Sequence, residues 1–154
     1  MAVELLDDTA AIRRRLDELA GEGPLAPVAP EAPLLANLSA RENVALVGAF
    51  HGRLPEAELD AAADALLQRL GVGGSGGRRP AELGDREAFL VQMGRAAMRP
   101  EARLVVVTPF TLMPELESDA PVAEALAAVG AESWDILDYA TNAHRYRSLA
   151  EALP

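Results

Sequence analysis

The sequence of 154 residues contains no cysteine and no lysine. Without cysteine the chain has no disulfide, no thiolate metal ligand and no cysteine nucleophile, a pattern that fits a cytosolic protein. All 14 basic residues are arginine, which excludes every mechanism that depends on a lysine side chain, including the lysine of a phosphate-binding loop.

Long apolar runs and excess positive charge are also absent. No stretch approaches the roughly 18–20 apolar residues that span a bilayer, so we expect no membrane insertion. The opening MAVELLDDTAAIRRR lacks a basic segment followed by an apolar one, which predicts no secretory signal and a cytoplasmic protein. The net charge of −10 argues against nucleic-acid binding, because phosphate contacts need concentrated basic residues.

The apolar pattern predicts a helix-rich α/β domain. Hydrophobic residues make up 50% of the chain and charged residues 25%, as in folded globular proteins. The branched and aromatic runs at 103–108 and 133–139 predict two buried strands. Predicted helices cover the segments 7–20, 43–50, 55–70, 86–98, 121–129 and 144–153.

These elements are expected to form a single domain over residues 1–154. A helix within 1–23 precedes a proline-rich connector at 24–37, a helical part at 38–100 and a strand–helix–strand unit at 101–154. That unit predicts a small, mainly parallel sheet, yet two strands alone are too few for a stable one. We therefore expect another segment to join it, from the N-terminus, the connector or a second chain.

No residues assemble an obvious catalytic centre. The glycines in GVGGSGGRRP (71–80) follow a helix and lack the lysine of a phosphate loop, so we interpret them as a flexible hinge. His51 and His144 stand far apart without second ligands at metal spacing. Asp135 and Asp138 are three apart on a strand and thus on opposite faces. The sequence therefore predicts no catalytic residue, no metal site and no cofactor.

One set of short motifs is more specific. Its members are Leu35, Asn37, Leu38-Ser39, Glu42-Asn43-Val44, Pro80, Leu83, Gly94-Arg95-Ala96, Pro100 and Pro109-Phe110-Thr111. Over residues 28–146 their order and spacing resemble the part of an ATP-binding-cassette (ABC) transporter ATPase that follows the Gln-loop. Asn43-Val44-Ala45-Leu46 and Phe50-His51-Gly52 are similar to the lipid-trafficking branch of that family. The resemblance implies the α/β fold and the helical subdomain of those ATPases.

The same resemblance implies that the catalytic positions are replaced. The Walker A segment and the strands around it have no counterpart. The position of the Gln-loop glutamine holds Pro30, and the signature loop becomes Gly84-Asp85-Arg86, whose acid would repel a phosphate. The Walker B aspartate and the catalytic glutamate correspond to Val107 and Thr108, and the switch histidine to Asn142. Since phosphoryl transfer needs positioned phosphates, a metal and an oriented water, this implies a non-catalytic protein.

In this family the helical subdomain and the segment after the Gln-loop dock a coupling helix of the membrane permease. The resemblance therefore implies an interaction protein at the inner face of the membrane. Its partner would be an ABC permease, an ABC ATPase subunit or a second copy of itself. The residues expected to line such an apolar surface are Leu34, Leu35, Leu38, Glu42, Asn43 and Phe50.

A different hypothesis is a small ligand-binding or enzymatic α/β domain. Open parallel sheets bind ligands at the carboxyl ends of their strands. A closed polar pocket at this edge would favour the hypothesis, whereas burial of Thr108 beside a flat surface would favour the interaction protein. The polar residues expected to converge there are Thr108, Thr111, Asp138, Asn142 and His144. A folded product without activity is the third alternative.

Overall fold

The computed structural model describes residues 1–51 and 54–154, so Gly52 of the Phe50-His51-Gly52 motif lies outside the described residues. Its centre is a parallel sheet of four strands in the order β1-β4-β3-β2. The strands are β1 (Ala2–Leu6), β2 (Leu25–Val28), β3 (Arg103–Val107) and β4 (Trp134–Tyr139). The α/β class and the parallel sheet predicted from the sequence are confirmed.

Six α-helices connect and cover these strands in the described part of the chain. They are α1 (Thr9–Glu22), α2 (Ala40–His51), α3 (Glu56–Arg69), α4 (Asp85–Ala97), α5 (Pro109–Leu112) and α6 (Ala120–Ala128). The helix predicted at 144–153 is wrong. Short 3₁₀ turns form instead at Ala140–Arg145 and Ala150–Ala152, because buried acids outside the segment capture its polar groups.

Two segments supply the strands that the sequence pattern missed. The N-terminus contributes β1, where Val3 pairs with Ile136, and the connector contributes β2, where Pro27 lies opposite Val105. The expectation that the N-terminus or the connector would add to the sheet is therefore confirmed, although neither strand was predicted at its position. Pro27 is tolerated because β2 is an edge strand, where a missing amide breaks no central hydrogen bond. The sheet is complete within one chain, which removes the argument that a second copy must complete it.

Both faces of the sheet are buried, as is typical of parallel strands. The larger core joins one face to α2, α3, α4 and α6, and the smaller core joins the other face to α1. The strand residues alternate accordingly: Val106 and Ile136 belong to the larger core, and Val105, Val107 and Leu137 to the smaller one. Among residues 1–51 and 54–154, no helix is long and apolar enough to cross a membrane.

The glycine-rich segment at 71–80 is packed against α2 and α4. The backbone amide of Arg41 donates to the carbonyl of Gly76 at 2.9 Å, and the buried Ser75 hydroxyl donates to Oε2 of Glu87 at 2.7 Å. These bonds correct the expectation of a flexible hinge. The fit is close at Gly76, where a Cβ would lie 3.0 Å from the Arg41 guanidinium, whereas a Cβ at Gly71, Gly74 or Gly77 would meet no atom within 4 Å.

Candidate functional site

The α2 helix begins with a capping box formed by Ser39 and Glu42. The Ser39 hydroxyl accepts from the Glu42 amide at 3.2 Å, and Oε1 of Glu42 accepts from the Ser39 amide at 3.1 Å. These hydrogen bonds lower the pKa of Glu42, so this exposed side chain stays anionic at neutral pH. The first turn of α2 therefore carries a permanent negative charge on the surface.

Asn43 holds the loop before α2 in place. Its Oδ1 accepts from the Leu35 amide at 2.8 Å, and its Nδ2 donates to the carbonyls of Leu35, Leu38 and Ser39 at 3.0–3.2 Å. The side chain is only 1% exposed. The expectation that Asn43 lines an interaction surface is therefore wrong. It supports that surface from inside by fixing the neighbouring leucines.

The other five predicted surface residues fall into three groups. Leu38 and Glu42 line a groove between α2 and α3. Leu35 and Phe50 are exposed at 47% and 83%, outside the groove lining. Leu34 is half-buried against the larger core, so most of its side chain is already packed.

We call this feature the α2–α3 groove. It is an open groove of about 430 Å³, and we call its apolar lining the floor: Leu38, Ala45, Leu46, Ala49, Leu54 and Leu59. Leu46 is 45% exposed and Leu54 is 36% exposed, so apolar surface remains open to solvent. Three exposed carboxylates also line it, those of Glu42, Glu56 and Asp60. An apolar floor with acidic edges suits an apolar segment that carries positive charge.

Leu46, Leu54, Glu56 and Asp60 also line this groove and were not predicted from the sequence. The sequence did contain a signal for Leu46. Leu46 lies one helical turn after the exposed Glu42 and one turn before Phe50, so the outer face of α2 carries two large apolar residues. The residues from α3 had no such signal, because only the packing of α2 on α3 brings them to the groove.

The carboxyl edge of the sheet is the second candidate region. Thr108 follows β3 with φ 46° and ψ 62°, the left-handed region that β-branched residues rarely occupy. Its amide donates to the Leu137 carbonyl at 2.8 Å, and its carbonyl accepts from the Thr111 amide at 2.9 Å. Thr108 is buried and fixed by backbone hydrogen bonds, but it does not lie beside the flat surface that would favour the interaction protein, because it also lines a cleft.

A cleft of about 360 Å³, the α1 cleft, lies between α1, the connector and the end of β3. Pro30, Val107 and Thr108, which the resemblance implies to be replaced positions, line it, and so does Thr111. The residues at its floor are largely apolar, and it is not the closed polar pocket that the ligand-binding hypothesis required.

The β1–α1 connection has the strand–loop–helix order of a phosphate-loop unit, which corrects the expectation that no strand lies there. The loop itself is only Asp7-Asp8. Oδ1 of Asp8 accepts from the Ala11 amide at 2.8 Å and caps α1. A carboxylate therefore occupies the helix end whose free amides would otherwise attract a phosphate.

The segment Gly84-Asp85-Arg86 forms the start of α4. Oε1 of Glu87 accepts from the Gly84 amide at 3.4 Å, and Oε2 accepts from the Ser75 hydroxyl, which together lower the pKa of Glu87. Asp85 and Glu87 place two carboxylates in the first turn. This helix start therefore favours cations rather than phosphates.

Asp138 and Asn142 belong to a separate internal network. Oδ1 of the fully buried Asp138 accepts from Asn142 Nδ2 at 3.0 Å, and its Oδ2 accepts from the Tyr146 hydroxyl at 2.7 Å. Burial raises the pKa of Asp138, and these hydrogen bonds reduce the rise. Asp138 and Asn142 do not line the α1 cleft, so the expected convergence with Thr108 and Thr111 is wrong.

The histidines show no sign of metal chemistry. His144 is exposed and does not line the α1 cleft. His51 packs edge-on against Phe50, with ring centroids 5.3 Å apart. Within the described part of the chain, no group of three histidine, aspartate or glutamate side chains is close enough to hold a metal ion.

Two solved structures share this fold. A dimeric bacterial ABC transporter cassette aligns with a TM-score of 0.61 and 17% identity, over 89% of this chain and 59% of that one. An ATP-binding subunit of an ABC transporter aligns with a TM-score of 0.65 and 18% identity, over 94% of this chain and 70% of that one. The chain thus has an ABC-cassette-like fold and spans about three-fifths of the first cassette. No protein-family model and no curated protein matches the sequence.

Proposed function

We propose that this protein is a non-catalytic, ABC-ATPase-like interaction protein whose α2–α3 groove receives a helix from an ABC transporter permease. The observation that carries the proposal is the exposed apolar floor of the groove, lined by the carboxylates of Glu42, Glu56 and Asp60. The occupant that fits is an amphipathic helix with apolar residues on one side and arginine or lysine at its edges. Such a contact would place the protein at the inner face of the membrane.

The loss of catalysis is supported by the chemistry at each nucleotide-facing position. Phosphoryl transfer needs phosphates held by backbone amides and a lysine, a metal ion and an oriented water. This chain has no lysine, and its β1–α1 loop is two aspartates. Val107 and Thr108 offer neither a metal-binding carboxylate nor a base at the end of β3, and Asn142 is committed to Asp138.

Other ABC components are the remaining partners to consider. One of the similar structures is a dimeric cassette, so an ABC ATPase subunit or a second copy of this chain is the next candidate after the permease. Phe50 lies near the C-terminal end of α2, outside the groove lining. Its side chain is 83% exposed and offers an aromatic anchor for any of these partners.

Two experiments test the two halves of the proposal. Calorimetry with Mg-ATP, together with a thermal melt, should give neither binding heat nor a shift in melting temperature. Tight binding would contradict the loss of the nucleotide site. For the partner, a photo-crosslinking amino acid replaces Leu46, which lines the groove and is 45% exposed, or, as a control, the exposed Glu58 on α3 outside the groove lining. Cross-links to an ABC permease from position 46 alone support the proposal, and equal yields at both positions contradict it.

A further inference from the structure

We propose that the α1 cleft is a binding site for a small apolar carboxylate, such as a medium-chain fatty acid. This site is separate from the α2–α3 groove and does not depend on the function proposed for it. The two features share no lining residue. Its volume of about 360 Å³ lies within the range of small-molecule sites, roughly 300–1,000 Å³.

The cleft exists because one helix cannot cover this face of the sheet. Four strands spaced about 4.8 Å apart are wider than a single helix of about 10–12 Å. Among the described residues, α1 is the one helix that contributes to the smaller core, and it covers Val105, Val107 and Leu137. Pro27 on the edge strand β2 stays exposed and forms one wall of the opening.

The interior selects for an apolar ligand. The lining includes Ile12, Ala29 and Val107, which are at most 4% exposed, and the partly buried Leu16 packed against them. These side chains offer no hydrogen bonds, so a polar ligand would lose its water without compensation. A nucleotide phosphate is also disfavoured, because Asp8 occupies the N-terminus of α1.

Arg13 supplies a positive charge at this apolar cleft. Three consecutive arginines in α1 have different surroundings. Arg15 is paired with Glu4 at 2.8 Å and with Glu18 at 3.0 Å, whereas among the described residues no carboxylate lies within 4 Å of Arg13. Arg13 lines the cleft, so its guanidinium can bind the carboxylate of a ligand whose chain lies inside.

The end of β3 shapes the cleft through strain. Left-handed backbone is strained at a threonine, and it persists where the surroundings enforce it. At Thr108 it redirects the chain into α5, so that the exposed Thr111 lines the cleft. On the same lining, the hydroxyls of Tyr139 and Thr9 lie 3.0 Å apart and bond to each other.

A second charged residue, Glu31, allows a test of whether the bound ligand is negatively charged. This exposed connector residue also lines the cleft and forms no ion pair with Arg13 within 4 Å. A bound carboxylate is attracted by Arg13 and repelled by Glu31, so removal of these two charges must act in opposite directions. A neutral ligand of the same length would respond to neither.

The experiment is an NMR titration of the full chain with octanoate and, in parallel, with octanamide. Saturable shifts are expected at amides lining the cleft, including those of Arg13, Ala29 and Thr111, with octanoate binding tighter than octanamide. Arg13→Gln should weaken octanoate binding about three- to fivefold, and Glu31→Gln should strengthen it by up to about threefold, the range for exposed charge pairs. Arg14→Gln, on the exposed side of the same helix, should leave binding unchanged.

Thr111→Trp provides a steric test, since an indole at this position would fill the cleft without removing a buried group. It should abolish binding of both probes while the melting temperature stays close to that of the wild type. The proposal is overturned if no saturable shift appears, or if the shifts lie in the α2–α3 groove. It is also overturned if Arg13→Gln and Arg14→Gln weaken binding equally.

Discussion

The hydroxyl of Tyr146 donates a hydrogen bond of 2.7 Å to Oδ2 of Asp138, and both side chains are buried. Burial and the neighbouring carboxylate raise the pKa of Tyr146, so it remains a neutral donor at all ordinary pH values. Through this bond the last strand of the sheet holds the segment that follows it. The edge-on packing of Tyr146 against Phe110, with centroids 5.5 Å apart, reinforces the attachment.

Asp138 should make stability depend on pH. Burial raises its pKa above the unfolded value of about 3.9, so the folded state binds the proton more tightly. Its contribution to the free energy of unfolding is then complete below that value and is lost as pH rises through the folded pKa. Urea unfolding from pH 4 upward should show this loss in the wild type, and Asp138→Asn should remove it. The exposed Asp17→Asn is the control, and an unchanged slope in Asp138→Asn would contradict the assignment.

Removing the tyrosine hydroxyl should weaken the same network. Tyr146→Phe leaves the buried Asp138 with one donor fewer, which is expected to lower the free energy of unfolding by about 1–3 kcal/mol at neutral pH. The pKa of Asp138 should rise further, because the hydroxyl hydrogen bond lowers it. Urea unfolding at several pH values measures both effects. A fully stable variant would mean that the bond carries no net energy.

Asp119 should be essential for the C-terminal segment. Its fully buried carboxylate accepts from the amides of Arg147, Ser148 and Leu149 at 2.8–3.0 Å. Asp119→Ala leaves three amides unpaired and should cost about 2–4 kcal/mol. Amide hydrogen exchange should speed up at residues 145–150, while the exposed Glu117→Ala changes neither quantity. Unchanged protection of this segment would contradict the role of Asp119.

Asn43 should support the α2–α3 groove through the loop that it bonds. Asn43→Ala removes the side-chain bonds to Leu35, Leu38 and Ser39 and should destabilise the protein by about 2–3 kcal/mol. The exposed Asn37→Ala, six residues earlier, is the matched control and should stay within about 0.5 kcal/mol of the wild type. Thermal melts of the two variants measure this difference, and equal melting temperatures would contradict the stabilising role of Asn43.

Charge reversal in the groove tests the proposed partner chemistry. Glu56→Arg combined with Asp60→Arg should lower the permease cross-link from position 46 severalfold, because a basic helix would then meet like charge. Glu58→Arg, on the same helix outside the groove lining, should leave the yield unchanged. Equal losses in both proteins would mean that net charge, rather than the groove, controls the contact.

Local patterns predicted most of the helices and the two central strands. The capping box of Ser39 and Glu42 marks the start of α2, and the branched run before Thr108 marks β3. The opposite faces of Asp135 and Asp138 follow from strand alternation: Asp135 pairs with Arg103 at 3.1 Å, whereas Asp138 joins the Tyr146 network. The start of α2, the position of β3 and the alternation along β4 depend on residues close in sequence, so each can be recognised from a short stretch of sequence.

The edge strands and the sites had weaker signals. β1 has the sequence AVELL, in which only Val3 is buried, and β2 has the sequence LAPV, which contains Pro27. Neither sequence alternates between apolar and polar residues in the way that marks a strand. Parallel pairing joins segments distant in sequence, and only the register with β4 and β3 gives these two segments their partners. Asn43 illustrates the same limit, since its exposed or buried position depends on how the preceding loop folds back.

The sequence by itself determined the absence of lysine and cysteine, the acidic charge, the helix starts and the α/β order, because these follow from composition and local spacing. The tertiary structure decided the four-strand order, the internal position of Asp138 and Asn43, and the two open apolar features beside α1 and α2. The physical reason is that burial is a property of packing: a side chain becomes core, surface or cleft lining only when distant segments are brought against it.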